Sequence, residues 1–178
     1  MHRSVPLLLL LTLSCSPTLQ AATREALDAD VQAALTRMTE AIPAGNEFLQ
    51  RAVGVLVFPR VLKAGFGLGG EVGEGALLVS GETVQYYRTT GLSFGFQIGV
   101  SARTEVILFM TPEVLAGFQA SQGWKAGVDG GIAVLTWGVA KDVTTQNVRE
   151  PVVAFLFDNK GLMYDVSLEG SRYWKIAK

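Results

Sequence analysis

Paired carboxylates are the hydrolytic apparatus this chain has the residues to build, because a general acid and a general base can both be glutamate or aspartate. Glu71, Glu74, Asp129 and Glu169 are the acids set among its glycine-rich stretches. Glu71 and Glu74 are three residues apart, so along one extended strand they point to opposite faces and converge only if the chain folds back. The simpler reading is of charges that are solvated or hydrogen-bonded to glycine-rich backbone, so no catalytic residue, metal or cofactor is assigned. Other catalytic sets lack parts. His2 and Cys15 are the only histidine and cysteine, and both lie in a segment expected to be removed. Ser-His-Asp and Cys-His nucleophiles, thiolate chemistry, histidine or cysteine zinc sites and histidine-ligated haem then all miss their essential group.

The expectation of removal rests on residues 1–21. A positive start (Arg3), an apolar run over residues 5–13 and small residues at Ala21 and Ala22 have the layout of a secretory signal peptide. The run is shorter than the roughly 20 residues that span a bilayer. The mature protein, residues 22–178, is therefore expected to be exported, to the periplasm or the outer-membrane surface, and not to be transmembrane. Cys15 is a candidate lipid acceptor, since Leu11-Thr-Leu-Ser precedes it. A typical lipobox has leucine three places before the cysteine, where this chain has Thr12, which favours cleavage after Ala21 and loss of Cys15.

With 178 residues and 49% hydrophobic content, the chain suits one domain with an ordinary core. Its formal charge is −1, and −2 without Arg3, so no basic field points to nucleic acid. Residues 65–70, Gly-Phe-Gly-Leu-Gly-Gly, match the letters of the dinucleotide fingerprint. That mechanism needs a helix starting at the last glycine, and Gly73 and Gly75 follow too closely for one. No nucleotide is expected. Strand formers alternate with glycine from Gly54 to Gly81, so the stretch reads as sheet. Gly65, Gly67 and Gly69 share one side of an extended chain and leave it nearly bare, a face that something must approach closely.

The elements around this stretch follow from periodicity. Leu27, Val31, Leu35, Met38 and Ile42 form one stripe of an amphipathic helix over residues 23–42, ended by Pro43. A short helical turn is expected over residues 46–51. Thr111 as cap, Pro112 at the first position and Gly123 as stop predict a helix over residues 112–122. Residues 52–58, 106–110, 132–135 and 152–157 read as strands buried on both faces. Residues 83–88 alternate more and read as an edge strand, with Tyr86 and Tyr87 on opposite faces. Asp158-Asn-Lys-Gly161 has the residue types of a tight hairpin. Glycines inside strands, with no helix-strand alternation, predict an α+β fold: a strongly curved antiparallel sheet, barrel or sandwich carrying the N-terminal helix and one further helix.

Several ordered blocks resemble the SYLF domain family: Val57-Phe-Pro-x-Val61, Lys63-Ala-Gly-Phe-Gly-x-Gly-Gly70, Gly73-Glu-Gly75, Ser93-Phe-Gly-x-Gln-Ile-Gly99, Leu108-Phe-Met-Thr111, Gly127-Val-Asp-Gly130, Gly161-Leu-Met163 and Ser167-Leu-Glu-Gly170. The resemblance covers residues 26–176. It implies a binding module without catalytic residues. Eukaryotic members associate with phosphoinositide-containing membranes and with actin, and bacterial members are exported or lipid-anchored envelope proteins. The helix over residues 23–42 lacks the basic bias of the eukaryotic membrane-contacting segment. On this reading Arg60 and Lys63 bracket the glycine strand and could meet lipid head groups beside exposed amides of Gly65, Gly67 and Gly69. Lys125, beside Trp124, is a weaker candidate. An envelope protein partner is the alternative to lipid, and a carboxylate hydrolase a more distant one.

Overall fold

A computed structural model describes residues 23–136, 144–146, 148–161, 168 and 170–178. The signal-peptide reading, His2, Cys15 and Glu169 fall outside these residues. Element order is α1 (Arg24–Ala41), α2 (Gly45–Arg51), β1 (Gly54–Val79), β2 (Glu82–Phe109), α3 (Pro112–Ala120), β3 (Trp124–Lys125), β4 (Ile132–Thr136), β5 (Val152–Gly161) and β6 (Arg172–Ile176). The fold is α+β, a strongly curled sheet of half-barrel form.

α3 starts at the expected Thr111 cap, and α1 opens at a cap that was not expected, Thr23. The Thr23 hydroxyl accepts from the Ala26 amide and the Thr111 hydroxyl from the Val114 amide. Leu27, Val31, Ala34 and Met38 are buried on α1, and with Val57, Tyr86, Val106 and Phe155 they form the core on one side of the sheet. On the other side, Leu115 and Phe118 of α3 pack with Phe58, Tyr87, Phe109, Trp124 and Tyr173. A sheet covered twice explains its continuous apolar runs.

The centre of the molecule is one antiparallel pair, β1 with β2, running from Gly54 opposite Phe109 to Val79 opposite Glu82 with register shifts at Phe58/Val61, Phe66/Leu68 and Leu77/Leu78. The turn that closes it is Ser80-Gly81, whose φ values of 53° and 84° are those of a two-residue hairpin with positive φ at both positions. Sequence reading had not singled out this turn. Residues 83–88, expected as an edge, are instead central, because β2 carries β1 on one side and β5 and β6 on the other. Tyr86 and Tyr87 do face opposite ways, and both are buried, Tyr86 toward α1 and Tyr87 toward α3. The expected hairpin at Asp158 is a second correction. β5 runs on through Gly161, and the positive φ of Asp158 accompanies a register shift opposite Ala102 and Thr104, so the segment bulges without turning. A third concerns strand direction. β4 pairs with β5 in parallel, residues 137–151 being chain enough for a crossover, so the sheet is mixed.

Candidate functional site

The β1–β2 pair is too long to stay flat, and glycine decides where it folds over. A Cβ on Gly65 would sit 2.7 Å from the Gly69 Cα, so the strand bends sharply between them, at a register irregularity between Phe66 and Leu68. Beyond the bend the second arm of β1 lies on the first. Gly73 presses on the Arg60 carbonyl and the Val61 side chain, and Gly75 on the Val57 carbonyl and the Phe58 ring. What approaches the bare face of β1 is β1 itself.

The strand's two-residue period then sorts its side chains. Odd positions turn inward: Val61, Lys63, Gly69, Gly73 and Gly75 are buried. Even positions turn outward, and most of them are apolar. Phe66 is 81% exposed, Leu68 54% and Val72 43%; on β2, Leu92 is 68% and Val100 61% exposed. Hydrophobic side chains outside and glycines inside is the reverse of a usual sheet face.

Inside the curl a charge cluster ties the arms together. The Arg103 guanidinium donates from Nε and Nη2 to Glu105 Oε1, at 2.8 and 2.7 Å, and from Nη2 to Glu71 Oε2 at 3.0 Å. Ser171 Oγ donates to the other Glu71 oxygen, and the Tyr173 hydroxyl lies 3.4 Å from Glu105 Oε2. Glu71 reaches Arg103 by lying across Gly91, its cross-strand neighbour, where a Cβ would meet the Glu71 side chain at 2.7 Å. Glu105 has no solvent exposure. Burial pushes its carboxyl up to about 7 despite the pull of Arg103. Burial also works against the Arg103 charge, but Glu105 and Glu71 hold the guanidinium above its ordinary value. Desolvation raises the Tyr173 phenol well above its usual range, with Glu105 adding to it.

This cluster answers the carboxylate question. Glu71 does find a second carboxylate, but it is Glu105, with Arg103 clamped between them: Glu71 borders the larger cleft and Arg103 the second, while Glu105 is fully buried, so the two acids do not face one open space. Glu74 faces away and pairs with Arg88 at 2.8 Å and Lys178 at 2.7 Å. Burial raises the Glu74 carboxyl, yet these two donors outweigh it and hold it below its ordinary value. Asp129 is exposed and accepts the Lys125 amide at 2.7 Å. Among the described residues no group of three His, Cys, Asp or Glu side chains is placed to hold a metal ion.

Two clefts open on the outward face. The larger, about 950 Å³, is lined by Leu62, Ala64, Val72, Leu92, Val100 and Val128, with Lys125 and Arg172 also on its wall. The second, about 780 Å³, shares Leu62 and Val100 and is bordered by Arg37, Arg60 and Lys160. Arg37 is bridged to Asp158 at 2.7 Å. Of the residues expected at a site, Arg60 is exposed at the second cleft and Lys125 lies at the first. Lys63 is corrected: odd-numbered like the glycines, it is 5% exposed and belongs to the interior. Gly65 and Gly69 are corrected likewise, since their backbone meets the chain's own arm. Gly67 lies on β1 between them. Lys160, Arg172 and the apolar even-numbered side chains were missed; their signal, apolar residues alternating with glycine, was present but does not say which side faces water.

Residues 90–176 match a family model described as Ysc84, Las17-binding protein actin regulator. No curated protein matches the chain.

Proposed function

Because residues 90–176 belong to the Ysc84 (SYLF) family, we propose that this chain is a non-catalytic binding module that docks on anionic lipid head groups at an envelope membrane. One observation carries the reading: two adjoining solvent-facing clefts that share Leu62 and Val100, the apolar one with Lys125 and Arg172 on its wall and the other bordered by Arg60 and Lys160. Cations of this kind attract anionic lipid, each contributing about 1 kcal/mol near the surface. Arg60 and Lys125 keep the head-group role that the sequence suggested. Lys63, Gly65, Gly67 and Gly69 contribute by forming the bend that displays it.

Co-sedimentation with vesicles of phosphatidylglycerol and phosphatidylcholine tests the proposal. Removing two exposed cations, Arg60→Ala with Arg172→Ala, is expected to weaken binding about thirtyfold, from about 1 kcal/mol per cation. Equal pelleting of wild type and variant, or no pelleting with any lipid, defeats it. The family description names a protein ligand, which makes a protein partner the second reading. A pull-down from envelope extract that depends on Arg60 while vesicles are ignored supports that one.

Export belongs to the same proposal. We propose residues 1–21 as a cleaved signal, with Cys15 the anchor only if cleavage precedes it. No helix among the described residues is long and apolar enough to cross a membrane. Metabolic labelling with a fatty acid should leave the wild-type chain unlabelled if Ala21 is the cleavage point, and label it, but not Cys15→Ser, if Cys15 is the anchor. An uncleaved chain recovered from the cytoplasm refutes export.

A further inference from the structure

We propose that the even-numbered face of the β1–β2 bend enters the acyl region of the bilayer, with Phe66, Leu68, Leu92 and Val100 as the inserted side chains. This rests on the lipid reading above and adds to it a mode of binding, penetration in place of head-group contact alone. The four side chains are 81%, 54%, 68% and 61% exposed, and they flank the bend along one ladder: Ala64 pairs with Val100 and Phe66 with Ile98 on one side of the register shift, and Leu68 with Phe94 and Gly70 with Leu92 on the other. Exposed apolar residues scattered singly need no explanation, but a contiguous patch rimmed by polar groups marks an interaction surface.

The charges around the patch choose its occupant. Arg60, Lys160 and Arg172 are exposed beside it, and Lys125 is half-buried at its wall. Of the nearby acids, Asp158 is paired with Arg37 and Glu71 with Arg103, while exposed Asp129 accepts the Lys125 amide and offsets one of the four cations, so the rim stays net positive. An apolar centre with a cationic rim matches the layered chemistry of an anionic bilayer, acyl chains beneath phosphates. A second copy of this chain fits poorly, because a two-fold contact through this face sets like charges against each other. Backbone chemistry limits the depth. The β1–β2 ladder satisfies amides and carbonyls between the strands, but an open structure cannot span hydrocarbon. Insertion is therefore shallow, about 5–10 Å, as for interfacial elements.

The test places a cysteine at Phe66, Leu92 or Val84 in the exported Cys15→Ser protein and labels it with an environment-sensitive fluorophore. Val84 is 50% exposed but lies beside the Ser80-Gly81 turn, away from the bend. With phosphatidylglycerol vesicles, labels at 66 and 92 are expected to shift blue and to be quenched by lipids spin-labelled on the acyl chain, while the label at 84 stays in water. Leu68→Asp, unlabelled, is expected to lower vesicle binding about tenfold, the cost of keeping one such side chain from hydrocarbon. Wild-type binding should survive salt that abolishes purely electrostatic attachment. Vesicle-bound protein whose labels at 66 and 92 remain in water, together with unchanged binding of Leu68→Asp, overturns insertion and leaves the head-group reading standing. No vesicle binding at all overturns both.

Discussion

Arg103→Met is expected to destabilise the fold by about 3–5 kcal/mol at pH 8, because it leaves Glu71 and Glu105 buried together without the guanidinium that bridges them. The loss should shrink at lower pH, and the sign follows from Glu105. Its carboxyl titrates at about 7 in the fold against 4.5 when free. Between those values the folded protein holds a proton that the unfolded chain has released. The contribution of Glu105 is therefore complete below about pH 4.5 and lost as pH rises through about 7, a change on the order of 3 kcal/mol. Wild-type stability, read from urea midpoints, should fall over that window, and Glu105→Gln should flatten the dependence. In Arg103→Met the carboxyl loses the guanidinium that favours its charged form, so its preference for the proton strengthens and the variant recovers at pH 5. Arg103→Lys should not rescue it fully, since one ammonium cannot reproduce donation from Nε and Nη2. A variant as stable as wild type at pH 8 would show that the cluster carries no net stabilisation.

Gly75→Ala is the second large effect. An added Cβ overlaps the Val57 carbonyl oxygen and comes within 2.6 Å of the Phe58 ring, and both are buried parts of the first arm. Backbone cannot swing aside as a flexible side chain can, so the arms must separate. The expected cost lies at or above the upper end of the roughly 1–3 kcal/mol typical of overpacking. Gly117→Ala is the matched control: a Cβ there meets nothing within 4 Å, and the position is in α3, where alanine is favoured by roughly 1 kcal/mol. Denaturation midpoints should thus move in opposite directions for the same one-methyl change. Equal midpoints for Gly75→Ala and wild type would show that the arms are not in contact.

Much of the fold was legible in the residues. The stripe from Leu27 to Ile42 and the Thr111-Pro112 start gave α1 and α3 to within two residues, because periodicity and caps are local signals. The apolar runs at residues 152–157 and 106–110 told of a sheet covered on both faces. Strand order was not legible: residues 83–88 alternate as an edge strand does, and nothing within them says that β6 lies alongside. The residues expected to form a site do lie on β1, but Lys63 and Gly69 are buried on its inner side. A two-residue period separates Gly65 and Gly69 from Phe66 and Leu68, yet is silent on which set meets solvent until the curl is known. The charge cluster was half visible. Arg103 and Glu105 are two apart and must share a face, but Glu71 joins them only through the fold-back of β1, which no local pattern encodes.

The family match begins at Thr90, inside β2, eight residues after the strand starts at Glu82. Anyone trimming the gene to that boundary would sever the longest strand of the sheet and discard β1 whole, together with Glu71 and both helices that cover one side. Arg103 and Glu105 would remain with one partner fewer, and Val106 and Leu108 would meet water. The match thus marks where the sequence resembles the family, while the packed core reaches back to α1.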